Sequence, residues 1–66
     1  MENNIIFKLR SKRGLTQKQL AEKAGIHLML ISKMERGIKS PAKLQLSTAL
    51  ALADALQVDP HQLIEE

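Results

Sequence analysis

The sequence has no cysteine, no tryptophan and no tyrosine, and its 66 residues include a single phenylalanine. Without cysteine the chain can form neither a disulfide framework nor a thiolate metal site. It also lacks the aromatic surface on which common RNA and single-strand binders stack unpaired bases. No apolar run approaches the length of a membrane span, and the start Met-Glu-Asn-Asn lacks the basic region of a signal peptide. We therefore expect one small cytoplasmic domain over residues 1–66.

The charge of the chain is divided unevenly along its length. All ten Lys and Arg lie in residues 1–43 together with three acids, a balance of +7. Residues 44–66 hold four acids and no base, a balance of −4, so that the chain as a whole carries +3. Scattered lysines usually do no more than solvate a surface. Because the change of sign coincides with the end of the motif described next, we favour a phosphate-binding footprint.

Residues 16–37, TQKQLAEKAGIHLMLISKMERG, have the pattern of two short helices joined at a glycine. With Gln17 counted as the first place, apolar residues occupy places four, eight, ten, fifteen and eighteen: Leu20, Ala24, Ile26, Ile31 and Met34. Small Ala21 at place five allows the second helix to approach the first closely. Gly25 at place nine tolerates the positive φ of a tight turn. The spacing predicts a helix-turn-helix over about residues 16–36.

Hydrophobic periodicity and helix-end signals predict five helices and no strand. The helices are expected over about residues 4–13, 16–25, 28–35 and 46–56, with a fifth after residue 59. Thr16 and Gln19 form a capping box, and Asp59 caps the fifth helix. A basic connection, residues 38–45, contains Pro41 as a helix breaker. The apolar residues of the fourth helix at helical spacing are Leu46, Ala49, Leu50, Ala53 and Leu56.

The run GLTQKQLAEKAGI, followed by ISKMERG ending at Gly37, resembles the phage-repressor family, also called lambda-repressor-like, Cro or XRE. Arg10, four residues before Gly14, also fits the first helix of that family. The resemblance covers about residues 5–63. It implies a compact, all-α, five-helix domain that binds operator DNA, usually as a dimer. It further implies a bacterial or phage-encoded regulator that acts at the nucleoid and needs no cofactor.

The resemblance implies that side chains at the start of the third helix reach base edges in the major groove. The outward-facing places of the motif there are His27, Leu28, Met29, Ser32 and Lys33. Lys33 can donate to guanine O6 and N7, and Ser32 can donate or accept. His27 can hydrogen-bond a base or a phosphate, but it is equally suited to act as a weak helix cap.

Phosphate contacts are expected from the N-terminus of the second helix and from the basic connection. The candidates for these contacts are Arg10, Thr16, Gln17, Lys18, Arg36, Lys39 and Lys43. The resemblance also implies an ion pair between Arg10 and Glu35, which joins the first and third helices. We interpret Glu35 as structural, because an unpaired acid facing DNA would be repelled.

The run Leu28-Met29-Leu30 cannot face inward as a whole on a helix that already buries Ile31 and Met34. We expect Leu30 to pack against the second or fourth helix and the other two residues to remain exposed. Three explanations stay open for the exposed pair. They contact thymine methyl groups, they form a surface for a protein partner, or they are tolerated with little effect.

The function expected from these patterns is sequence-specific binding of double-stranded DNA by a transcriptional repressor that occupies its operator as a dimer. The expected dimer face lies in the C-terminal half and comprises Leu52, Leu56, Val58, Leu63 and Ile64. The same residues could instead close the core of the monomer. An alternative function is an antitoxin-like module that binds a protein partner, such as a toxin, through the apolar face of the third helix.

An enzyme is the poorest fit to the sequence. His27 and His61 are far apart, no carboxylate pair shares a helical face with either, and there is no glycine-rich phosphate loop. Two isolated histidines are far more often surface or packing residues than ligands, so no metal is expected.

Overall fold

The computed structural model describes residues 5–64, without the side chains of Ala42 and Ile64. The helices are α1 (Ile5–Lys12), α2 (Gln17–Ala24), α3 (Leu28–Glu35), α4 (Leu46–Leu56) and α5 (His61–Ile64), with a 3₁₀ turn over Pro41–Lys43. No strand occurs within these residues, so the prediction of an all-α fold is confirmed. The predicted bounds of α3 and α4 are those observed. The connection before α4 contains the 3₁₀ turn where the sequence predicted only a loop. None of the helices within residues 5–64 combines the length and the apolar character that crossing a bilayer requires.

Both ends of α2 are closed by the local interactions that the sequence predicts. The Thr16 hydroxyl oxygen accepts from the backbone N–H of Gln19 at 3.0 Å, and the Gln19 side-chain oxygen accepts from the backbone N–H of Thr16 at 2.9 Å. This reciprocal capping box satisfies two N–H groups that a helix start leaves unpaired. At the other end of α2, Gly25 has φ +71° and lies in the left-handed region. The chain can therefore turn sharply into α3 without a side-chain clash.

The interactions that end α4 were not predicted from the sequence, although the position of its end was. Its last turn closes on Gln57, which has φ +60° although it is not glycine. From the loop after α1, the Arg13 guanidinium donates through Nε to the Leu56 carbonyl at 2.8 Å and through Nη2 to the Gln57 carbonyl at 3.1 Å. A cation at a helix C-terminus opposes the negative end of the helix dipole and binds carbonyls that have no helical partner. Arg13 thereby ties α1 to α4.

The start of α5 is capped by Asp59, as predicted. The Asp59 carboxylate accepts from the backbone N–H of His61 at 2.9 Å, and the Gln62 side-chain oxygen accepts from the backbone N–H of Asp59 at 3.0 Å. The hydrogen bond from the His61 backbone N–H is the main reason that the pKa of Asp59 is lowered from 3.8, with the His61 side chain adding to the effect. The cap thus favours the ionised carboxylate.

The core lies between α1, α2, α3, α4 and α5, and each of these helices contributes to it. Its fully buried large side chains are Ile6, Leu20, Ile31, Met34, Leu52, Leu56 and Leu63. Ala21 is buried as the helix-turn-helix pattern requires, and Leu30 packs against the core from its edge, as expected. Ala24 and Ile26 are partly buried against the same cluster. The motif's predicted inward face is therefore confirmed.

The five apolar residues at helical spacing on α4 do not form one buried face. Leu46 is 73% exposed and Leu50 is 46% exposed, whereas Ala53 and Leu56 are buried. The helix is leucine or alanine at most positions, so its apolar character extends almost all the way around and periodicity cannot select a buried face. Packing against α2 selects the face that includes Leu52, and the Leu46–Leu50 edge is left in solvent.

The expected dimer face needs a correction. Leu52, Leu56 and Leu63 are between 0% and 1% exposed in the single chain, so their side chains have no surface to offer a second copy. Val58 is partly buried and packs against the same core. The side chain of Ile64 lies outside the described residues. The described part of this set closes the monomer, which was the other interpretation available from the sequence.

Candidate nucleic-acid interface

Three helices of the N-terminal half are joined at one buried carboxylate. Glu35 at the end of α3 is 6% exposed and accepts two hydrogen bonds from Arg10 of α1, from Nε at 2.5 Å and from Nη2 at 3.0 Å. It also accepts one from the Gln17 side-chain amide of α2 at 3.0 Å. The predicted ion pair is therefore present. We call Arg10, Gln17 and Glu35 the Glu35 network, and it sets the orientation of α3 relative to α1 and α2.

The network also determines what Arg10 and Gln17 can offer to a phosphate. The Arg10 Nη1 donates to the Leu15 carbonyl at 2.7 Å, and its guanidinium lies 5.3 Å from the centroid of the Phe7 ring. All three guanidinium nitrogens of Arg10 thus donate to acceptors within the chain. The Gln17 amide uses one hydrogen on Glu35 and keeps a second that can donate to another acceptor.

The outer face of α3 is made of the predicted base-contact residues. Leu28 and Met29, in the first turn, are 46% and 61% exposed, which confirms that they stay out of the core. Ser32 and Lys33 follow at a spacing of four residues, so they extend the same two stripes along the helix. His27 at the N-cap is exposed and makes no side-chain capping bond. His27 therefore occupies the N-cap position, as the cap interpretation expected, but its imidazole does not bond the first turn of α3.

The remaining predicted phosphate contacts lie on the surface. Thr16 and Lys18 are exposed at the start of α2, where the first turn of a helix presents N–H groups to an anion. Arg36, Lys39 and Lys43 are exposed after α3 and around the 3₁₀ turn. Between Lys23 and Ala53 the sequence has one acid, Glu35, and that acid is buried and paired. The exposed charge of this segment is therefore entirely positive.

Outside this surface, an apolar groove of about 390 Å³ lies between the 3₁₀ turn, α4 and the start of α5. Its walls include the exposed Leu46 and Leu50 of α4. Within residues 5–64, no three histidine, aspartate or glutamate side chains come together in a way that could hold a metal ion.

Comparison with known proteins gives the family of this arrangement. A helix-turn-helix family model matches residues 6–63. Among solved structures, the restriction-modification controller protein C.AhdI from Aeromonas hydrophila is 32% identical, with a TM-score of 0.77 over 89% of this chain and 85% of that chain. No curated protein sequence gives a significant match. The chain belongs to the Cro/C1-type (XRE) helix-turn-helix family of DNA-binding transcription regulators.

Proposed function

We propose that the protein represses transcription by occupying a specific operator in double-stranded DNA, as a dimer. The observation that supports this most directly is the outer face of α3. Five predicted base-contact residues lie together at its start and along it, in a segment whose exposed charge is positive throughout. The likeness to a controller protein across most of both chains supports a regulatory role.

The base contacts in this proposal come from His27, Leu28, Met29, Ser32 and Lys33. In helix-turn-helix complexes, the N-terminal residues of the recognition helix contact base edges in the major groove. All but the half-buried Ser32 are exposed. Lys33 is suited to the acceptors of guanine, and Ser32 can pair with more than one base.

The phosphate contacts come from the flanks of that helix. At the start of α2, Thr16, Lys18 and the second amide hydrogen of Gln17 are arranged beside N–H groups of the first helical turn. After α3, the cations are Arg36, Lys39 and Lys43. Arg10 contributes by holding Gln17 and α3 in place through Glu35, since its own nitrogen atoms bind within the chain.

The dimer in this proposal uses the apolar groove rather than the buried leucines. Leu46 and Leu50 are exposed large apolar residues that line the groove, and burying an exposed leucine contributes about 1.5–3 kcal/mol. The groove belongs mainly to residues 44–66. This part of the chain contains four acids and neither Lys nor Arg, so DNA would repel it. In a two-fold symmetric dimer, the same surface patch of each copy contacts its counterpart on the other copy. The two copies would then read half-sites about 34 Å apart.

Operator binding is tested by selecting from a random duplex pool with the purified protein and titrating salt against the winning sequence. We expect a two-fold symmetric site whose affinity falls steeply with salt, with a logarithmic slope of about −0.9 per phosphate contacted. Lys18→Ala should weaken binding to all sequences and reduce the slope by about one contact, while Lys8→Ala, on α1, is the matched control. Weak binding with no enriched sequence would overturn the proposal.

The dimer is tested by sedimentation of a Leu46→Asp/Leu50→Asp variant. We expect it to be monomeric and to lose affinity for the symmetric site while still binding non-specific DNA. Ile38→Asp is the control, because Ile38 is 64% exposed but does not line the groove. A variant that remains dimeric would place the interface elsewhere.

A second candidate function follows from the exposed Leu28 and Met29. An apolar patch on the surface often marks a protein-binding site, as in an antitoxin that binds a toxin. Co-purification of a stable partner that protects Leu28 and Met29 from solvent, with no selected DNA sequence, would favour this function over operator binding.

A further inference from the structure

We propose that Leu28 and Met29 recognise the C5 methyl group of thymine in the major groove, so that operator affinity depends on methyl groups at defined positions. This inference rests on the proposed operator binding. It names the chemical feature that the apolar part of the α3 outer face reads.

Leu28 and Met29 do not belong to the hydrophobic core of residues 5–64. Leu28 and Met29 are 46% and 61% exposed, although the adjacent Leu30 packs against the core. Neither residue lines the apolar groove on α4. Two large apolar side chains are thus held in solvent side by side, at the start of the helix that the motif directs toward DNA.

The outer face of α3 changes from apolar to polar along the helix. The first turn presents Leu28 and Met29, and the next turn presents Ser32 and Lys33 on the same two stripes. Because the N-terminal residues of a recognition helix approach the base edges most closely, the apolar pair would meet the floor of the groove. The polar pair would lie one turn farther along.

The four bases present different chemical groups on the floor of the major groove. Thymine presents a C5 methyl group there beside its O4 acceptor, whereas guanine, adenine and cytosine present hydrogen-bonding groups and no methyl. An apolar side chain pressed on those groups removes their water and provides no hydrogen bond in return, which disfavours binding. Contact with a methyl group instead buries apolar surface on both partners.

The charge around the pair indicates which macromolecule covers it. The nearest acids in sequence are Glu22, which is exposed on α2, and Glu35, which is buried and paired, whereas Lys33, Arg36 and Lys39 are all exposed. A polyanion is therefore a better occupant than an apolar protein surface, which would have to approach through an excess of positive charge. DNA supplies both the phosphates and the methyl groups.

The test removes methyl groups without changing base pairing. In the sequence selected from the random pool, each thymine is replaced in turn by deoxyuridine, and affinity is measured at fixed salt by fluorescence anisotropy. We expect one or two positions in each half-site at which the loss of one methyl lowers affinity about fourfold. At those positions the Leu28→Ala/Met29→Ala variant should bind the thymine and deoxyuridine duplexes equally.

A matched control separates methyl recognition from general weakening. Lys33→Ala should lower affinity for the selected site but keep the fourfold preference for thymine. 5-Methylcytosine placed at a sensitive position should bind better than cytosine there, because it restores the methyl at the same ring carbon. The circular dichroism of the double variant should match that of the parent, since both side chains are exposed.

Failure of the inference is distinguishable from failure of operator binding. Tight selective binding that is indifferent to every deoxyuridine would overturn methyl recognition and leave the operator function intact. A thymine preference that persists undiminished in the Leu28→Ala/Met29→Ala variant would overturn the role of this pair. Absence of any selected DNA sequence would overturn both.

Discussion

Arg10 of α1 holds Glu35 of α3 through two parallel hydrogen bonds, from Nε to Oε2 at 2.5 Å and from Nη2 to Oε1 at 3.0 Å. The planar guanidinium matches the carboxylate, which adds directional specificity to the attraction of the charges. Gln17 of α2 completes the site with a third bond to the same carboxylate. The pair therefore links the helix that the motif directs toward DNA to both of its predecessors.

Replacing Arg10 with Met should destabilise the fold by about 3–5 kcal/mol, because it leaves the carboxylate of Glu35 buried with only Gln17 as a partner. The measurement is urea denaturation followed by circular dichroism. An Arg10→Met/Glu35→Met variant should be more stable than Arg10→Met alone, since it removes the uncompensated charge. If the double variant is the less stable of the two, the cost does not arise from the buried charge.

Replacing Arg13 with Ala should lower stability by about 1–2 kcal/mol, because the carbonyls of Leu56 and Gln57 lose a charged donor at the end of α4. Lys12→Ala is the matched control, an exposed base one residue earlier. The stabilities of the two variants are compared by thermal unfolding at low and at high salt. Equal stability of the two variants would show that Arg13 does not cap α4.

Replacing Gln57 with Gly should stabilise the protein by about 0.5–1 kcal/mol, because glycine adopts the left-handed conformation at φ +60° without the steric cost of a Cβ atom. The Arg13 bond to the Gln57 carbonyl is unaffected, since it involves the backbone. Gln57→Ala is the control and should give no such gain. A midpoint of urea unfolding that is not higher for the glycine variant would contradict the prediction.

The Asp59 cap should make the free energy of unfolding decrease at acid pH. The pKa of Asp59 is lowered in the folded chain, so the carboxylate's contribution to the free energy of unfolding is present above the ordinary value of 3.8 and is lost as the pH falls through the lowered folded value. Asp59→Asn should remove this part of the pH dependence. Titration of the Asp59 carboxyl carbon by NMR measures the shift directly.

The His61→Ala variant separates the two groups of His61 that lower the pKa of Asp59, the backbone N–H and the imidazole. The backbone N–H of His61 has the largest effect, so the variant should keep most of the lowering of the Asp59 pKa and lose the smaller part due to the imidazole. Return of the Asp59 pKa to its ordinary value in His61→Ala would mean that the side chain, not the backbone, is responsible.

Much of the candidate site could be predicted from residues close together in the chain. The capping box at Thr16, the left-handed turn at Gly25 and the Asp59 cap depend on contacts within three or four residues, and each was predicted. The exposure of Leu28 and Met29 followed by elimination, because Ile31 and Met34 already occupied the inward face. The pairing of Arg10 with Glu35 spans 25 residues and came from family resemblance rather than from spacing.

Other features depend on how the helices pack. Arg13 reaches a carbonyl 43 residues away, and no local pattern distinguishes it from the other bases of its segment. The sequence indicated apolar residues on α4, but with leucine and alanine at most positions it could not indicate which of them would be buried. In the structure Leu46 and Leu50 lie at the surface, whereas Leu52, Leu56 and Leu63, which were candidates for either a dimer face or the core, lie in the core.

Residues close together in the chain were enough to predict the helices, the caps of α2 and α5 and the residues that α3 directs outward, because backbone preferences and caps act over a few residues. The tertiary structure decided which apolar surface remained for a partner and which cations were used internally, because burial depends on which helices meet. The apolar groove beside Leu46 exists only once α4 has packed one face against α2.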